Sequence, residues 1–207
     1  MATASMTSEG GGVAVAVTGA SGARYALRLL EVLAQSGETV HWVVSDAGRQ
    51  VLALETGVDL LRDPGAGDDL PFAGREHLRR WRLDDWTSPL ASGSGFRGAL
   101  VICPCSMGTL AAVATGLADT LIERAADVAL KEGRPLVLVP RETPLSVIHL
   151  ENMLKLARMG AIILPAMPGF YRQPQEIQEL VDFVVGRILT RLGLPGLPQS
   201  RWGMQPG

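Results

Sequence analysis

Short runs of apolar residues alternate along the chain with segments in which apolar residues recur every three or four positions. The run at 13–17 contains three valines and no charged residue, and a glycine-containing turn follows it at 18–22. Continuous β-branched runs of this length are typical of strands that are buried on both faces of a parallel sheet. From Ala23 to Leu33 the apolar positions instead have helical spacing, and Gly37 ends that segment. The pattern therefore predicts a strand, a turn and a helix.

The same alternation continues along the chain and predicts an α/β fold in which helices cover both faces of a parallel sheet. We predict strands at 13–17, 40–44, 99–103, 136–139 and 161–164. We predict helices that begin near residues 23, 45, 106, 120, 146 and 177. The stretch 56–97 shows no clear period, so we expect short elements and loops there. Ligands of such sheets bind outside the carboxyl ends of the strands, so the residues that follow each strand are the candidate site.

The length of 207 residues suits a single domain. We predict one α/β domain at 13–192, preceded by a flexible tail at 1–12 and followed by a second tail from 193 to 207. The tail assignments rest on small and polar residues at the N-terminus and on proline and glycine at the C-terminus. The sequence contains no internal repeat and no sign of a second domain.

Composition and charge exclude several classes of function. A hydrophobic fraction of 47% excludes a largely disordered chain, and a net charge of −2 argues against a dedicated nucleic-acid binder. No apolar run approaches the roughly 18 residues of a membrane span. A signal peptide begins with a basic region, but the first basic residue of this chain is Arg24, so we expect no signal peptide. Cys103 and Cys105, in a C-P-C sequence, match neither a redox motif nor a zinc site, so we expect reduced thiols in a cytoplasmic protein.

The turn at 18–23, T-G-A-S-G-A, joins a strand to a helix and so brings backbone N–H groups to one point, which suits a phosphate. It is neither a Walker loop nor the G-x-G-x-x-G fingerprint of dinucleotide-binding proteins. After the second strand, Ser45 occupies the place where a ribose-binding acid often lies. The alternative is an ordinary tight turn without a ligand.

A second turn, C-P-C-S-M-G-T at 103–109, also follows a strand and opens a helix. We expect Ser106 and Thr109 to contact a ligand, whereas the two cysteines are expected to be buried packing residues rather than nucleophiles. Arg124 and Lys131 are seven residues apart and share a helix face. Neither D-D-x-x-D nor H-E-x-x-H occurs, so no metal site is predicted.

Several longer segments resemble the UbiX-type flavin prenyltransferases. They are T-G-A-S-G-A at 18–23, A-S-G-S at 91–94, C-P-C-S-M-G-T at 103–109, L-I-E-R-A-A-D-V-A-L-K-E at 121–132, V-P-R-E-T-P at 139–144, H-L-E-N-M-L-K-L at 149–156 and P-A-M-P-G-F-Y at 165–171. The resemblance implies a three-layer flavodoxin-like or Rossmann-like fold and a homododecamer. It also implies metal-independent transfer of a dimethylallyl group from dimethylallyl monophosphate to N5 and C6 of reduced FMN. The prenylated FMN would serve a UbiD-type decarboxylase.

The resemblance also implies roles for individual residues. The implied FMN contacts are Gly19, Ala20, Ser21, Ser45, Ser106, Met107, Gly108, Thr109 and Arg141. The implied catalytic residues are Ser21, Glu55, Lys131 and Glu142, with Glu142 assisting departure of the phosphate. The implied donor contacts are Trp86, Ser92, Arg124, Lys131, Tyr171, Arg187 and Trp202. Met107 departs from the family pattern, where a small residue such as threonine is expected.

Two alternatives remain at this point. One is another flavin enzyme of the same architecture, such as a phosphopantothenoylcysteine decarboxylase-like protein. That group carries P-A-S-A-N-T after the third strand and a histidine in the first turn, where this chain has Ser21. The other alternative is a flavin-binding protein without turnover.

Overall fold

A computed structural model describes residues 11–37, 39–60 and 70–197. Its strands are β1 (Val13–Val17), β2 (Val40–Val44), β3 (Leu78–Trp81), β4 (Ala99–Cys105), β5 (Leu136–Pro140) and β6 (Ile162–Ile163). All neighbouring strands pair in parallel, in the order β3-β2-β1-β4-β5-β6. The predicted parallel sheet is therefore confirmed.

The helices follow the strands as the apolar spacing predicts. They are α1 (Ala23–Ala34), α2 (Asp46–Thr56), α3 (Met107–Thr115), α4 (Leu121–Lys131), α5 (Val147–Arg158) and α6 (Ile177–Arg191). Short 3₁₀ helices occur at Arg75–His77 and Pro89–Ala91. Helix ends carry the expected signals, because Ser45, Ser106, Thr120 and Ser146 each accept a backbone N–H through the side-chain oxygen.

The core divides into two layers on opposite faces of the sheet. The valines of β1 pack into one layer together with α1 and α6, whereas Ala14 and Ala16 pack into the other together with α3 and α4. Alternate residues of a strand point to opposite faces, so an entirely apolar strand must be covered on both sides. This arrangement confirms the predicted three-layer α/β domain.

Chain direction across the sheet changes between β1 and β4. From β1 the chain moves outward to β2 and β3, and it then returns to β4 on the other side of β1. Turns that leave adjacent strands in opposite directions open a crevice at the carboxyl edge of the sheet, the edge at which the strands end. The turns after β1 and β4 border this crevice.

The strand β3 is the element that the apolar pattern did not predict. Its sequence, L-R-R-W, contains two arginines. Arg79 lies over the Trp81 ring at 4.3 Å, and Arg80 lies over the Trp42 ring at 5.9 Å. Contacts between guanidinium groups and tryptophan rings thus occur in this edge strand, where alternating apolar residues would otherwise be expected.

Some residues assigned to the two predicted tails contact the α/β domain. Gly12, assigned to the N-terminal tail, accepts a hydrogen bond from the Ala99 N–H at 3.2 Å. Leu194 and Leu197, assigned to the C-terminal tail, pack against the core. The rest of the two predicted tails, 1–10 and 198–207, lies outside the described residues. Among the helices of the described ranges, none combines the length and apolar character that crossing a membrane requires.

Candidate active site

Thr18 joins the two turns that border the crevice. Its side chain is 1% exposed, and its hydroxyl donates to the Pro104 carbonyl at 2.8 Å. The same oxygen accepts the Ser106 N–H at 2.8 Å, and the Thr18 N–H donates to Pro104 O at 3.2 Å. Since these bonds link the end of β1 to the start of α3, the two turns form one rigid unit. Sequence reasoning did not assign Thr18 a role, although a buried threonine directly after a strand is a usable signal.

Replacing Thr18 by valine is expected to lower the free energy of unfolding by about 1–3 kcal/mol, because the Ser106 N–H and the Pro104 carbonyl lose a buried partner. Urea denaturation measures the change. Thr115→Val is the matched control, since the exposed Thr115 hydroxyl only bonds carbonyls of its own helix. An equal effect of both substitutions would contradict the role assigned to Thr18.

Glu55, in the last turn of α2, caps the start of α1. Its carboxylate accepts the Gly22 N–H at 3.0 Å and the Ala23 N–H at 2.8 Å. This corrects one expectation from the sequence, namely that the first N–H groups of α1 are available to a phosphate. A carboxylate of the chain itself already satisfies them, as anions at helix N-termini do.

The Glu55 carboxylate is held in its ionised form. Partial burial raises the pKa of Glu55, but hydrogen bonds from Ser21, Gly22 and Ala23, together with the charge of Arg141, outweigh burial and lower it below the ordinary value of 4.5. The Arg141 Nε donates to the Ser21 carbonyl at 3.1 Å. The structure thus brings together three of the residues assigned to the site, Ser21, Glu55 and Arg141.

Replacing Glu55 by alanine is expected to cost about 0.5–2 kcal/mol of unfolding free energy at neutral pH, because α1 loses its cap. Since folding lowers the pKa of Glu55, its contribution is complete above the ordinary value of 4.5 and is lost as the pH falls through the depressed pKa. The difference between the wild type and Glu55→Ala should therefore shrink in acid. Urea denaturation at pH 7 and at several acidic values checks this, and a difference independent of pH would contradict it.

The start of α3 is the part of the crevice that suits a phosphate. In the described chain, the Met107 and Gly108 N–H groups have no hydrogen-bond partner, as expected for the first turn of a helix. The space beside Gly108 is open, since an added Cβ would meet nothing within 4 Å. Hydroxyls of Ser106 and Thr109 lie 3.1 Å apart at the same point. Free N–H groups, hydroxyls and the nearby Arg141 fit a phosphate ester.

Gly19, Ala20 and Ser45 shape the rim of this crevice. A Cβ at Gly19 would lie 2.5 Å from the Ala47 Cβ, so glycine is required where the turn approaches α2. Ala20 is buried, with its N–H donating to the Thr18 carbonyl at 2.9 Å. The Ser45 oxygen accepts the Gly48 N–H at 3.0 Å, which leaves the hydroxyl hydrogen available for a ligand.

Glu142 lies next to Arg141 after the end of β5 and is exposed. Its Oε1 accepts the N–H of Thr143 at 3.0 Å. Its assignment to the site rests on its place at the carboxyl edge of the sheet, directly after Arg141.

A second group of assigned residues lies along α4 rather than at the crevice. The segment 82–98 runs beside this helix: Leu83 O accepts the Leu121 N–H at 2.8 Å, and Ala91 O accepts the Arg124 Nε at 3.0 Å. Trp86 and Ser92 belong to this segment, and both are exposed. Lys131, the last residue of α4, pairs with Glu132.

Lys131 and Arg141 lie at opposite edges of the sheet within one chain. Lys131 ends α4 a few residues before β5 begins, whereas Arg141 directly follows the last residue of β5. A strand of five residues is about 16 Å long. One chain alone therefore does not bring Lys131 to the crevice. The same holds for Ser92, because its neighbour Gly93 accepts a hydrogen bond from Arg134, just beyond the end of α4.

Tyr171 and Arg187 are linked through α6. The Tyr171 ring packs edge-on against Phe183 with centroids 5.8 Å apart, and Phe183 and Arg187 are four residues apart on one helix face. Gly169 makes the contact possible, because a Cβ there would lie 2.7 Å from Tyr171. Arg187 is exposed and forms no ion pair within the described ranges. Trp202, the remaining assigned residue, lies outside them.

Comparison with known proteins identifies the family. The family described as Flavoprotein matches residues 1–189. A flavin prenyltransferase UbiX from Pseudomonas aeruginosa is 56% identical over 197 residues, which cover 93% of this chain and 94% of the relative. The chain belongs to the flavin prenyltransferase family.

Two solved structures with about 40% sequence identity to this chain share the fold. A dodecameric FMN-dependent UbiX-like decarboxylase from Escherichia coli O157:H7 has a TM-score of 0.81 and 40% identity, covering 93% of this chain and 99% of that one. AnUbiX (PadA1), in complex with FMN and dimethylallyl pyrophosphate, has a TM-score of 0.83 and 38% identity, covering 96% of this chain and 100% of that one. The predicted family and fold class are confirmed, and the prenyltransferase interpretation is favoured over both alternatives.

The two cysteines of this family member are buried and free. Burial raises the pKa of Cys105 to about 12, and burial together with the neighbouring Cys105 raises that of Cys103 still further. Neither thiol is therefore a nucleophile at neutral pH, as expected. Within the described parts of the chain, no cluster of three or more His, Cys, Asp or Glu residues could hold a metal ion.

Proposed function

We propose that the protein transfers a dimethylallyl group from dimethylallyl monophosphate to the N5 and C6 atoms of reduced FMN, without a metal ion. The observation that supports this most is the crevice between β1 and β4, where Thr18 ties the start of α3 to the turn that carries Ser21, and Ser21 contacts Glu55 and Arg141. Family membership supports the reaction type, and AnUbiX, in complex with FMN and dimethylallyl pyrophosphate, supports the two ligands.

In this proposal the crevice binds FMN through its phosphate. The N–H groups of Met107 and Gly108 and the hydroxyls of Ser106 and Thr109 hold the phosphate oxygens, and Arg141 balances their charge. Since only its N–H is needed, methionine at 107 is compatible with binding. Reduced FMN supplies the nucleophilic ring atoms. The Ser21 hydroxyl donates to the ionised Glu55, and we assign it to help move the proton at N5 of the flavin.

Titration with FMN tests the binding step. We expect saturable binding of at most one FMN per chain. Arg141→Ala should weaken it about tenfold or more, because a charge-assisted hydrogen bond contributes about 1.5–3 kcal/mol. Arg97→Ala, a substitution of an exposed arginine, is the matched control and should leave FMN affinity unchanged. If the wild type bound no FMN at high micromolar concentration, the proposed function would be wrong.

Departure of the donor phosphate is assigned to Glu142 and to the cations Arg124, Lys131 and Arg187. A monophosphate carries two negative charges near neutral pH, and positioned cations stabilise the charge that develops as it leaves. Glu142 supplies the proton. Tyr171 and the tryptophans Trp86 and Trp202 are assigned to the donor pocket, where apolar walls exclude water from the allylic group.

A complete donor site requires more than one copy of the chain in this proposal. Within one chain Lys131 and Ser92 lie at the edge of the sheet opposite Arg141 and Glu142. Helix α5 presents an unusual number of exposed apolar side chains, among them Val147, Ile148 and Leu154, which suit contact with another copy. The relative from Escherichia coli is dodecameric, which supports a homododecamer here. Residues of one copy would then complete the crevice of another.

Two further assignments belong to the same proposal. We assign the prenylated FMN to a UbiD-type decarboxylase, an expectation that rests on the family resemblance alone. We also assign the protein to the cytoplasm, where two free thiols such as Cys103 and Cys105 remain reduced.

A further inference from the structure

Arg134 is bound to the segment that contains Ser92. It follows α4, and its guanidinium donates through Nη1 to the Phe96 carbonyl and through Nη2 to the Gly93 carbonyl. On the other side of Ser92, the Ala91 carbonyl accepts the Arg124 Nε at 3.0 Å. Two arginines thus fix the backbone immediately before and after Ser92.

Glu132 connects this segment to Lys131. Its Oε1 accepts a hydrogen bond from the Lys131 ammonium, and its Oε2 lies 3.9 Å from Nη2 of Arg134. It also lies against Gly93, where an added Cβ would approach its Cδ to 2.8 Å. The hydrogen bond from Lys131 and the positive charge of Lys131 both lower the pKa of Glu132. The carboxylate is therefore ionised at neutral pH. Ser92 and Lys131 are therefore held by one pair of residues.

The arginine side chain is not needed to end the helix. Backbone bonds from the Gly133 N–H to Leu130 O at 3.1 Å and from the Arg134 N–H to Ala129 O at 2.8 Å already satisfy the last carbonyls of α4. Gly133 supplies the left-handed conformation, with φ of 65°. The hydrogen bonds from the Arg134 guanidinium to Gly93 and Phe96 therefore hold the segment around Ser92, and they are not needed to end α4.

We propose that Arg134 and Glu132 are positioning residues for the prenyl-phosphate donor, which hold Ser92 and Lys131 in the geometry that binds its phosphate. The inference rests on the proposed function, because Ser92 and Lys131 are donor contacts only if that function is correct. Arg134 fixes the Ser92 backbone, and Glu132 fixes the Lys131 ammonium. Neither residue touches the donor.

Arg134→Ala tests the inference by separating KM from kcat. We expect the KM for dimethylallyl monophosphate to rise about tenfold, because two charge-assisted hydrogen bonds to the Ser92 segment are lost. The dissociation constant for FMN should stay unchanged, since none of the residues assigned to bind FMN belongs to this segment. Guanidinium added to the assay should restore a substantial part of the lost donor affinity, whereas it should not affect Arg97→Ala, a variant of an exposed arginine in the same segment.

Gly93→Ala perturbs the same contacts from the other side. The new Cβ displaces the flexible end of Glu132 rather than the backbone, so the fold is retained while Lys131 loses its partner. We expect a raised KM for the donor here as well, without rescue by guanidinium. An unchanged donor KM in both Arg134→Ala and Gly93→Ala would overturn the inference, as would a parallel loss of FMN affinity.

Ser92→Ala and Lys131→Ala distinguish failure of the positioning role from failure of the proposed donor site. If both raise the donor KM while Arg134→Ala and Gly93→Ala do not, the positioning role is wrong and the proposed donor contacts stand. If Ser92→Ala and Lys131→Ala also leave the donor KM unchanged, the donor site of the proposed function is wrong.

Discussion

Glu142→Gln is expected to slow prenyl transfer by about 10²-fold or more, in the range that a general acid contributes, while FMN still binds. Glutamine keeps the size of the side chain and can accept the Thr143 N–H as Glu142 does, but it cannot release a proton to the departing phosphate. Single-turnover formation of prenylated FMN under reducing conditions measures the rate, and an FMN titration measures binding.

Glu76→Gln, a substitution of an exposed carboxylate far along the chain from the crevice, is the matched control and should retain the wild-type rate. The rates are measured with and without a chelator, so that a contaminating metal cannot replace the acid. A Glu142→Gln variant that turns over at the wild-type rate would show that another group protonates the phosphate. Loss of wild-type activity on adding the chelator would contradict metal-independent transfer.

The fold was largely predictable because its central strands are buried on both faces. Entirely apolar runs such as β1 and β5 leave few alternatives, and the intervening helices have regular apolar spacing. Strand β3 could not be found in this way. It lies at the edge of the sheet, where stacking between Arg79 and Trp81 replaces apolar contacts. A hydrophobic pattern cannot reveal such a pair, because arginine counts as a polar residue in it.

The sequence predicted the individual turns of the candidate site but not the contacts that join them. Both glycine-containing turns were found from the sequence, yet nothing in the turn at 18–23 indicates that Glu55 occupies its N–H groups. That contact joins residues more than thirty positions apart and depends on how α2 packs beside α1. For Lys131 a signal did exist. A residue that ends a helix just before a strand must lie at the edge where strands begin, away from Arg141.

The separation of Lys131 from Arg141 gives the most discriminating prediction. Glu142→Gln and Lys131→Ala should each be nearly inactive alone, but mixed oligomers that contain both variants should regain activity. If one copy supplies Glu142 and another supplies Lys131, about a quarter of the sites in a random equal mixture combine two intact residues. We expect activity near that fraction of the wild-type value. Co-expression of the two variants with different tags, followed by purification on both tags, yields the mixed oligomers.

A second mixture provides the control, because the structure places Arg141 and Glu142 side by side in the same chain. Oligomers that combine Glu142→Gln with Arg141→Ala contain no copy with both residues intact, so each crevice lacks one of them. At an FMN concentration that fills intact crevices but few Arg141→Ala crevices, activity should stay well below the quarter expected of the first mixture. If the site is shared between copies, activity should recover in the first mixture but not in the second. Equal inactivity of both mixtures would mean that Lys131 and Glu142 act within one chain, which the five-residue strand between them makes unfavourable.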